Sequence, residues 1–280
     1  MQQSVIAILT DYGTRDGRAA KLIGAVKRAE ETLDVCLAEN NFPAGDVPGA
    51  AATLHGFLGY FPARTVTAAL IGETDGKGRP FPPIAAKAPD GKVFLVPNNG
   101  LLTVWEQTHG IAALRRIDAV DCPVGANLYA YTAGLLASGI LRFEAVGGEM
   151  EPEQLVRFDS APVRVEAGRV QCGIQSVVAA FGNLNLNITI DRFLESGIRP
   201  GDRIRLTVTY GETAVFDGRL RYERTFGCVP EGAPVLFNGS SDFMGLGCNQ
   251  TSFAGRYLAP LLRKETAMAD YAVRIEREEQ

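Results

Sequence analysis

Residues 4–16 read Ser-Val-Ile-Ala-Ile-Leu-Thr-Asp-Tyr-Gly-Thr-Arg-Asp. Val5 to Leu9 form a continuous apolar run rich in β-branched residues, which is typical of a strand buried on both faces of a parallel sheet. The run ends at a turn-forming segment, and a helical pattern of apolar residues follows it. Asp11 therefore lies at the carboxyl end of a first strand, where open α/β sheets bind ligands. Its carboxylate either accepts hydrogen bonds from ribose hydroxyls, or caps the turn or the next helix.

Strand-like and helical patterns alternate through the first half of the chain. This alternation predicts an α/β domain over residues 1–155, with a mainly parallel sheet wrapped by helices. Over residues 156–262 the apolar residues alternate in short, turn-punctuated segments, which predicts an all-β domain, a small barrel. The charged residues 263–280 are predicted to form a solvated helix or a frayed end. In the first domain, further strands are predicted at 33–38, 65–71, 92–96 and 112–117, and helices at 17–31, 46–61, 101–108 and 127–138.

Composition and charge argue against several classes of protein. Hydrophobic residues make up 46% of the 280 residues and charged residues 21%, as in a soluble globular protein. The net charge of −4 gives no basic patch for nucleic acid and no polybasic signal for a membrane surface. No apolar run reaches the ~18 residues of a membrane span, and no signal peptide is evident, so we expect a cytoplasmic protein. The five cysteines include no CxxC pair, so neither a zinc site nor a disulfide framework is expected.

Several motifs occur in the order in which one known family carries them. The match extends over approximately residues 5–260 and includes both predicted domains. The motifs are similar to those of the S-adenosylmethionine hydroxide adenosyltransferases, a family that includes the fluorinase and the chlorinase. They are Leu9-Thr10-Asp11-Tyr12-Gly13-Thr14-Arg15-Asp16, Phe42-Pro43-Ala44-Gly45-Asp46-Val47, Tyr60-Phe61-Pro62 with Thr65-Val66, Val96-Pro97-Asn98-Asn99-Gly100-Leu101-Leu102-Thr103, Phe181-Gly182-Asn183-Leu184 with Asn187-Ile188, Thr225-Phe226, and Asn238-Gly239-Ser240-Ser241-Asp242-Phe243.

The resemblance implies a two-domain homotrimer that takes S-adenosylmethionine as its substrate and needs no metal. The substrate lies between the N-terminal domain of one subunit and the C-terminal domain of the next. Water or a halide ion attacks the ribose C5′ atom and expels methionine. By position, the resemblance assigns the ribose to Asp11, the adenine to Phe181, Asn183 and Phe226, and the methionine carboxylate and amine to Ser240 and Ser241.

The segments that carry the family's chemistry differ in this chain. Where the hydrolases of the family have DPGVG…R after the third strand, residues 71–79 read Ile-Gly-Glu-Thr-Asp-Gly-Lys-Gly-Arg. Where those hydrolases have HGRD, residues 124–127 read Val-Gly-Ala-Asn. In this segment, Arg79 is the residue that can correspond to the family's arginine. Thr74 lies near the loop in which the halogenases carry a threonine.

The polar residues of this loop suggest substitutes for the missing groups. Glu73 and Asp75 are two residues apart, so they share a face in an extended chain, and like charges close together raise one pKa in a way that suits acid–base catalysis. The other interpretation is an exposed, flexible acidic loop. Arg18 either clamps a substrate carboxylate or is a solvated residue of the first helix. Asn98 and Asn99 either position a ligand or adopt the left-handed backbone geometry of a turn.

Three functions fit the sequence. The first is displacement of methionine from S-adenosylmethionine at C5′ by water or a halide, which needs little acid–base help if the nucleophile is desolvated and aligned. The second is a changed substrate or reaction on the same scaffold, because fold does not fix chemistry. The third is a non-catalytic binder of an adenosyl ligand. Analysis of the products, together with a binding measurement, discriminates among the three.

Overall fold

The computed structural model describes residues 4–178, 180–258 and 268–278, and divides the chain into unit 1, up to Phe158, and unit 2, from Asp159. The strands of unit 1 are β1 (Ile6–Thr10), β2 (Val35–Glu39), β3 (Val66–Leu70), β4 (Pro83–Lys87), β5 (Val93–Pro97) and β6 (Ala113–Arg116). They form one sheet in the order β2-β1-β3-β5-β4-β6. The pairs β1–β2, β1–β3 and β3–β5 are parallel, whereas β4 is antiparallel to both neighbours. The mainly parallel sheet predicted from the sequence is therefore confirmed.

Four helices cover the two faces of this sheet. They are α1 (Arg18–Ala29), α2 (Val47–Leu58), α3 (Thr103–His109) and α4 (Leu128–Ala137). Apolar residues of α1 and α4 share a buried cluster with Ile6 and Ile8. On the opposite face, Trp105 of α3 contacts Phe94 of β5, with ring centroids 4.9 Å apart. Each face of the sheet is thus buried, which is why β1, β3 and β5 consist of continuous apolar runs.

Local signals in the sequence explain where the helices begin. The Asp46 carboxylate accepts a hydrogen bond from the Gly49 amide at 3.0 Å, so Asp46 caps α2 as its sequence predicted. Asn127 caps α4 in the same way, through the Ala130 amide at 3.0 Å. At Gly134, α4 approaches α1 so closely that a methyl group would lie 2.7 Å from the Ala29 side chain. A glycine is needed there for the two helices to pack.

Strand β4 was not predicted. It begins with Pro83, directly after Pro82, and its centre is Ile84, Ala85 and Ala86, so it shows neither the β-branched run of its neighbours nor a polar–apolar alternation. Pairing with β5 and β6 on both sides buries all three of these residues completely. The strand is therefore stabilised by its tertiary neighbours rather than by local propensity.

Unit 2 is a barrel. Its strands are β7 (Arg164–Glu166), β8 (Arg169–Val178), β9 (Asn183–Thr189), β10 (Arg203–Tyr210), β11 (Thr213–Glu223), β12 (Pro234–Asn238), β13 (Phe243–Cys248) and β14 (Tyr271–Arg277), with the short helices α5 (Ile190–Leu194) and α6 (Phe253–Tyr257). Seven strands close in the order β14-β10-β11-β12-β13-β9-β8, because β14 pairs with both β10 and β8. β7 pairs with β8 beside this ring. The predicted all-β barrel is confirmed.

The C-terminal tail corrects the sequence prediction. We expected a solvated helix or frayed end over 263–280, but residues 271–277 form β14 and complete the barrel. Tyr271, Val273 and Ile275 point into the core, while Ala272 and Arg274 between them face outward. The remainder of that prediction over 263–267 and 279–280 lies outside the described residues. No helix among the described residues has both the length and the apolar character to cross a membrane.

Candidate functional site

The carboxyl edge of the unit 1 sheet is organised around Asp11, the first residue after β1. Its Oδ2 atom accepts backbone hydrogen bonds from Gly45 at 2.9 Å and from Gly72 at 3.1 Å. One oxygen therefore joins the loops that follow β1, β2 and β3. The alternative in which Asp11 caps its own turn or α1 is wrong, because Gly17 is the N-cap of α1 and both hydrogen bonds to Asp11 come from other loops. Among the described residues, Oδ1 has no hydrogen-bond partner, so one carboxylate oxygen is left for a ligand.

Next to Asp11, Tyr12 and Glu73 form a hydrogen-bonded pair. The Tyr12 hydroxyl donates to Glu73 Oε2 and links the loop after β1 to the loop after β3. Burial raises the pKa of the Glu73 carboxyl, the hydrogen bond from Tyr12 lowers it in part, and the negative charge of Asp11 raises it further. Burial and the same hydrogen bond raise the pKa of the Tyr12 phenol far above its usual range. The phenol therefore keeps its proton, and the carboxyl is the group of the pair that exchanges one.

A second phenol, Tyr129, belongs to the same group. It lies in the first turn of α4 and is 8% exposed. Burial, followed by the negative charge of Glu73, raises the pKa of Tyr129 above its usual range. The edge of the sheet thus carries two carboxyl groups, those of Asp11 and Glu73, and two phenols that stay protonated at neutral pH.

Asparagine side chains hold the loops of this edge in place. Asn99 donates to the carbonyl oxygens of Ile71 at 2.8 Å and Gly72 at 2.9 Å, which fixes the chain just before Glu73. Gly72 has a φ of +57°, a conformation that a larger residue adopts only with strain. The side-chain amide of Asn98 donates to the Gln154 carbonyl and accepts from the Val156 backbone N–H. Binding of a substrate by Asn98 stays a prediction. The alternative of left-handed turn geometry for Asn98 and Asn99 is wrong, because the residue with a positive φ in this turn is Gly100.

The loop after Glu73 is ordered by its own contacts. The Asp75 carboxylate accepts from the backbone of Lys77 at 2.8 Å and of Arg79 at 3.0 Å, and it pairs with the Arg79 guanidinium at 2.7 Å. These bonds hold the pKa of Asp75 below its usual value. The expectation that Glu73 and Asp75 act on each other as like charges is therefore wrong, because the carboxylate that affects Glu73 is Asp11. The alternative of an exposed, flexible loop does not describe Glu73, which is half-buried.

Three other residues of the predicted site lie on the surface of unit 1. The Arg79 side chain is 73% exposed, and Arg18 is 61% exposed and pairs with Asp16 at 3.1 Å. Thr74 is exposed and forms a β-bridge with Pro80. Catalysis by Thr74, Asp75 and Arg79, and binding by Arg18, stay predictions, and the structure already gives each arginine an acidic partner.

The outer face of the barrel carries an aromatic patch around a buried amide, which we call the barrel patch (Asn183, Phe226, Phe237, Gly245 and Gly247). Asn183 is 8% exposed, and its Oδ1 atom is buried without a hydrogen-bond partner among the residues that the structure describes. A methyl group on Gly247 would lie 2.3 Å from this oxygen, and one on Gly245 would lie 2.5 Å from the Phe237 ring. The glycines thus make room for the ring and the amide. Phe226 meets Phe237 edge to face, with centroids 5.7 Å apart.

The remaining predicted residues of unit 2 lie in exposed turns. Phe181 is 67% exposed in the turn between β8 and β9, two residues before Asn183. Ser240 and Ser241 lie in the turn between β12 and β13, beside the strands that carry the barrel patch. Within the described part of the chain, neither serine hydroxyl makes a hydrogen bond, so both are available to a ligand.

Sequence reasoning missed four residues of these two groups. Tyr129 follows the asparagine that caps α4, and a buried phenol two residues after a cap carries no recognisable signal. Phe237, Gly245 and Gly247 fall on two neighbouring strands, and only the pairing of β12 with β13 brings them together. Tyr12 was part of the opening motif, but its partner is 61 residues away in the sequence.

Comparison with known proteins gives two family matches and several relatives. The SAM hydroxide adenosyltransferase N-terminal domain matches residues 6–147, and the C-terminal domain of the same family matches residues 176–260. A fluorinase of Actinopolyspora mzabensis is 23% identical over 290 residues, which covers 90% of this chain and 93% of the relative. An (R)-S-adenosyl-L-methionine hydrolase of Thermus thermophilus is 28% identical over 268 residues, covering 88% and 92%.

Solved structures show the same fold. A crystal structure of an uncharacterised conserved protein from Thermotoga maritima superposes with a TM-score of 0.79 at 22% identity, covering 97% of this chain and 100% of the other. The N-terminal family match lies in unit 1, and the C-terminal match lies in unit 2. Together the two matches cover well over half of the sequence. This chain therefore belongs to the SAM hydroxide adenosyltransferase family.

Proposed function

We propose that this protein is an enzyme that binds S-adenosylmethionine and displaces methionine at the ribose C5′ atom with water or a halide ion. The products are methionine and either adenosine or a 5′-haloadenosine. Relatives named as a fluorinase and as a SAM hydrolase support the substrate, and their low identity leaves the nucleophile open. No metal enters the proposal, since attack on an activated sp³ carbon requires alignment and desolvation of the nucleophile above all.

The observation that carries the proposal is the unpartnered Oδ1 atom of Asn183 beside the rings of Phe226 and Phe237. A buried carbonyl oxygen without a donor is costly in a folded protein, and a donor group on a ligand would remove that cost. The exocyclic amino group of adenine is a donor of the right kind, and a purine ring packs well against aromatic side chains. On unit 1, the free Oδ1 atom of Asp11 offers an acceptor for a ribose hydroxyl.

The test is calorimetry with S-adenosylmethionine, followed by chromatography of the mixture after incubation with chloride. We expect binding, release of methionine, and formation of adenosine or 5′-chloroadenosine. Asn183→Ala should weaken binding by about 1–3 kcal/mol, the cost of a lost buried hydrogen bond. Gln107→Ala, which removes an exposed amide from α3, is the matched control and should bind as the wild type does. Binding without turnover would indicate a non-catalytic binder, and no binding would indicate a different substrate.

Two further properties belong to the proposal. We propose a homotrimer in which neighbouring subunits share the substrate site, as the family resemblance implies. Light scattering on the purified protein tests this, and a monomer at working concentration would contradict it. We also propose a cytoplasmic location, which cell fractionation tests.

A further inference from the structure

The charges at the edge of the unit 1 sheet disfavour an anionic nucleophile. Two carboxyl groups, those of Asp11 and Glu73, lie close enough for the charge of one to affect the pKa of the other. At this edge, the backbone N–H groups of Gly45 and Gly72 already donate to Asp11. A halide ion needs such donors or a cation to replace its water shell, and here it would meet negative charge instead.

The basic side chains in and beside these loops are all exposed to solvent, so they offset this charge only weakly. Arg79 pairs with Asp75 and Arg18 pairs with Asp16, while Arg15 and Lys77 lie exposed on the surface. On α2, the Asp46 carboxylate is occupied by the Gly49 amide. On α4, the phenol of Tyr129 faces Glu73 in its neutral form. The field at this edge is therefore negative, which favours the cationic sulfonium substrate and a neutral nucleophile.

We infer that the nucleophile of the proposed reaction is water, that Glu73 is the general base that accepts its proton, and that Tyr12 is a positioning residue for Glu73. This inference rests on the proposed function and assigns the acid–base role to groups that differ from the family's aspartate, arginine and histidine. Glu73 suits the role because Tyr12 holds Oε2, while Oε1 forms no hydrogen bond with any described residue. Asp11 already accepts hydrogen bonds from two backbone amides through Oδ2, and Asp75 already forms an ion pair with Arg79.

The proposed step balances in atoms and charge. The water oxygen attacks C5′, the new C5′–O bond forms, and the C5′–S bond breaks with its electron pair passing to sulfur. The sulfonium becomes the neutral thioether of methionine, and one water proton passes to Glu73 Oε1 and then to solvent. Tyr12 keeps its proton throughout and continues to donate to Oε2. A halide would need no base, so Glu73 has a role in proton transfer only if the nucleophile is water.

The test compares Glu73→Gln and Tyr12→Phe with two controls on exposed surfaces, Glu144→Gln and Tyr60→Phe. Glu73→Gln should lower kcat by about 10²–10⁴-fold, the usual contribution of a general base, while calorimetry shows little change in the Kd for S-adenosylmethionine. The acid limb of the pH–rate profile should disappear in the same variant. Both controls should keep the wild-type kcat.

Tyr12→Phe tests the positioning role separately. Its hydrogen bond lowers the pKa of Glu73, so its removal should move the acid limb of the pH–rate profile to higher pH and lower kcat with KM little changed. A residue that only supports the fold would not move that limb. With chloride in excess, Glu73→Gln should lose adenosine formation without a parallel loss of any 5′-chloroadenosine.

The outcomes separate the inference from the function on which it rests. Equal kcat values for the wild type and Glu73→Gln would refute the role of Glu73 and leave displacement at C5′ intact. A haloadenosine as the main wild-type product in millimolar chloride would refute water as the nucleophile. Binding of substrate by the wild type without any product would refute both the displacement and the base. If Glu73→Gln fails to fold, Glu73→Asp replaces it and should lower kcat while keeping the acid limb.

Discussion

At the scale of single residues, Asp11 has a structural role in addition to its expected contact with ribose. Asp11→Ala removes the acceptor of two backbone N–H groups in a half-buried site. We expect the free energy of unfolding to fall by about 1–3 kcal/mol, and binding of every adenosyl compound to weaken. Denaturant unfolding and calorimetry measure the two effects. Asp121→Ala, at an exposed carboxylate without a hydrogen bond or ion pair to any described residue, is the control and should stay within about 0.5 kcal/mol of the wild type. Wild-type stability in Asp11→Ala would show that other groups hold the loops.

The raised pKa of Glu73 predicts how the stability of the protein depends on pH. In the unfolded chain its carboxyl titrates near the ordinary value of 4.5, and in the folded protein its pKa is higher. The folded state therefore binds more protons between these two pKa values, and the free energy of unfolding falls as pH rises through this window. The contribution is fully present below pH 4.5 and is lost above the folded pKa. The Glu73→Gln variant lacks this contribution at every pH, because glutamine does not titrate.

The stability of the wild type relative to Glu73→Gln should thus decline across that window and be flat on either side. Urea unfolding of both proteins at a series of pH values measures the difference. Tyr12→Phe should extend the window to higher pH, because it removes the bond that lowers the pKa of Glu73. A difference that rises with pH would mean that Glu73 is stabilised in its charged form.

At the scale of elements, the sequence predicted those with a strong local signal. The apolar runs of β1, β3 and β5 and the caps of α2 and α4 are local, so reading along the chain found them. Strand β4 has no such signal and exists because two neighbours pair with it. Strand β14 does alternate, but its charged residues favoured a solvated tail over a barrel strand. The Tyr12–Glu73 pair and the barrel patch depend on contacts between distant segments, which no local pattern encodes.

Strand β14 closes the barrel, and this gives a prediction at the element scale. Ile275 is fully buried between β8 and β10, whereas Arg274 on the same strand faces outward. Ile275→Ala should lower the free energy of unfolding by about 2–5 kcal/mol, through lost burial and the cavity left behind. Arg274→Ala is the matched control and should change it by less than about 0.5 kcal/mol. Thermal or denaturant unfolding measures both, and equal effects would mean that β14 contributes little to the core.

At the scale of the whole molecule, the two units differ in how completely they close. The sheet of unit 1 is open, with β2 and β6 as its outermost strands, whereas the ring of unit 2 returns on itself through the β14–β8 pairing. All residues of the main barrel core lie between Val170 and Ile275, so that core is assembled from unit 2 alone. A closed ring leaves few unpaired backbone groups, and about 120 residues is an ordinary size for an independent domain.

We therefore expect residues 159–280, expressed alone, to fold with a cooperative thermal transition and a dispersed amide NMR spectrum. Ile275→Ala introduced into this fragment should lower its midpoint, since the core that it disturbs is the fragment's own. Circular dichroism and an amide correlation spectrum are sufficient to measure both. A fragment without dispersed amides would mean that the barrel core is stable only in the full chain. A cooperative fragment would instead allow the barrel patch to be titrated with adenosine apart from Asp11 and Glu73, which separates adenine recognition from the chemistry at C5′.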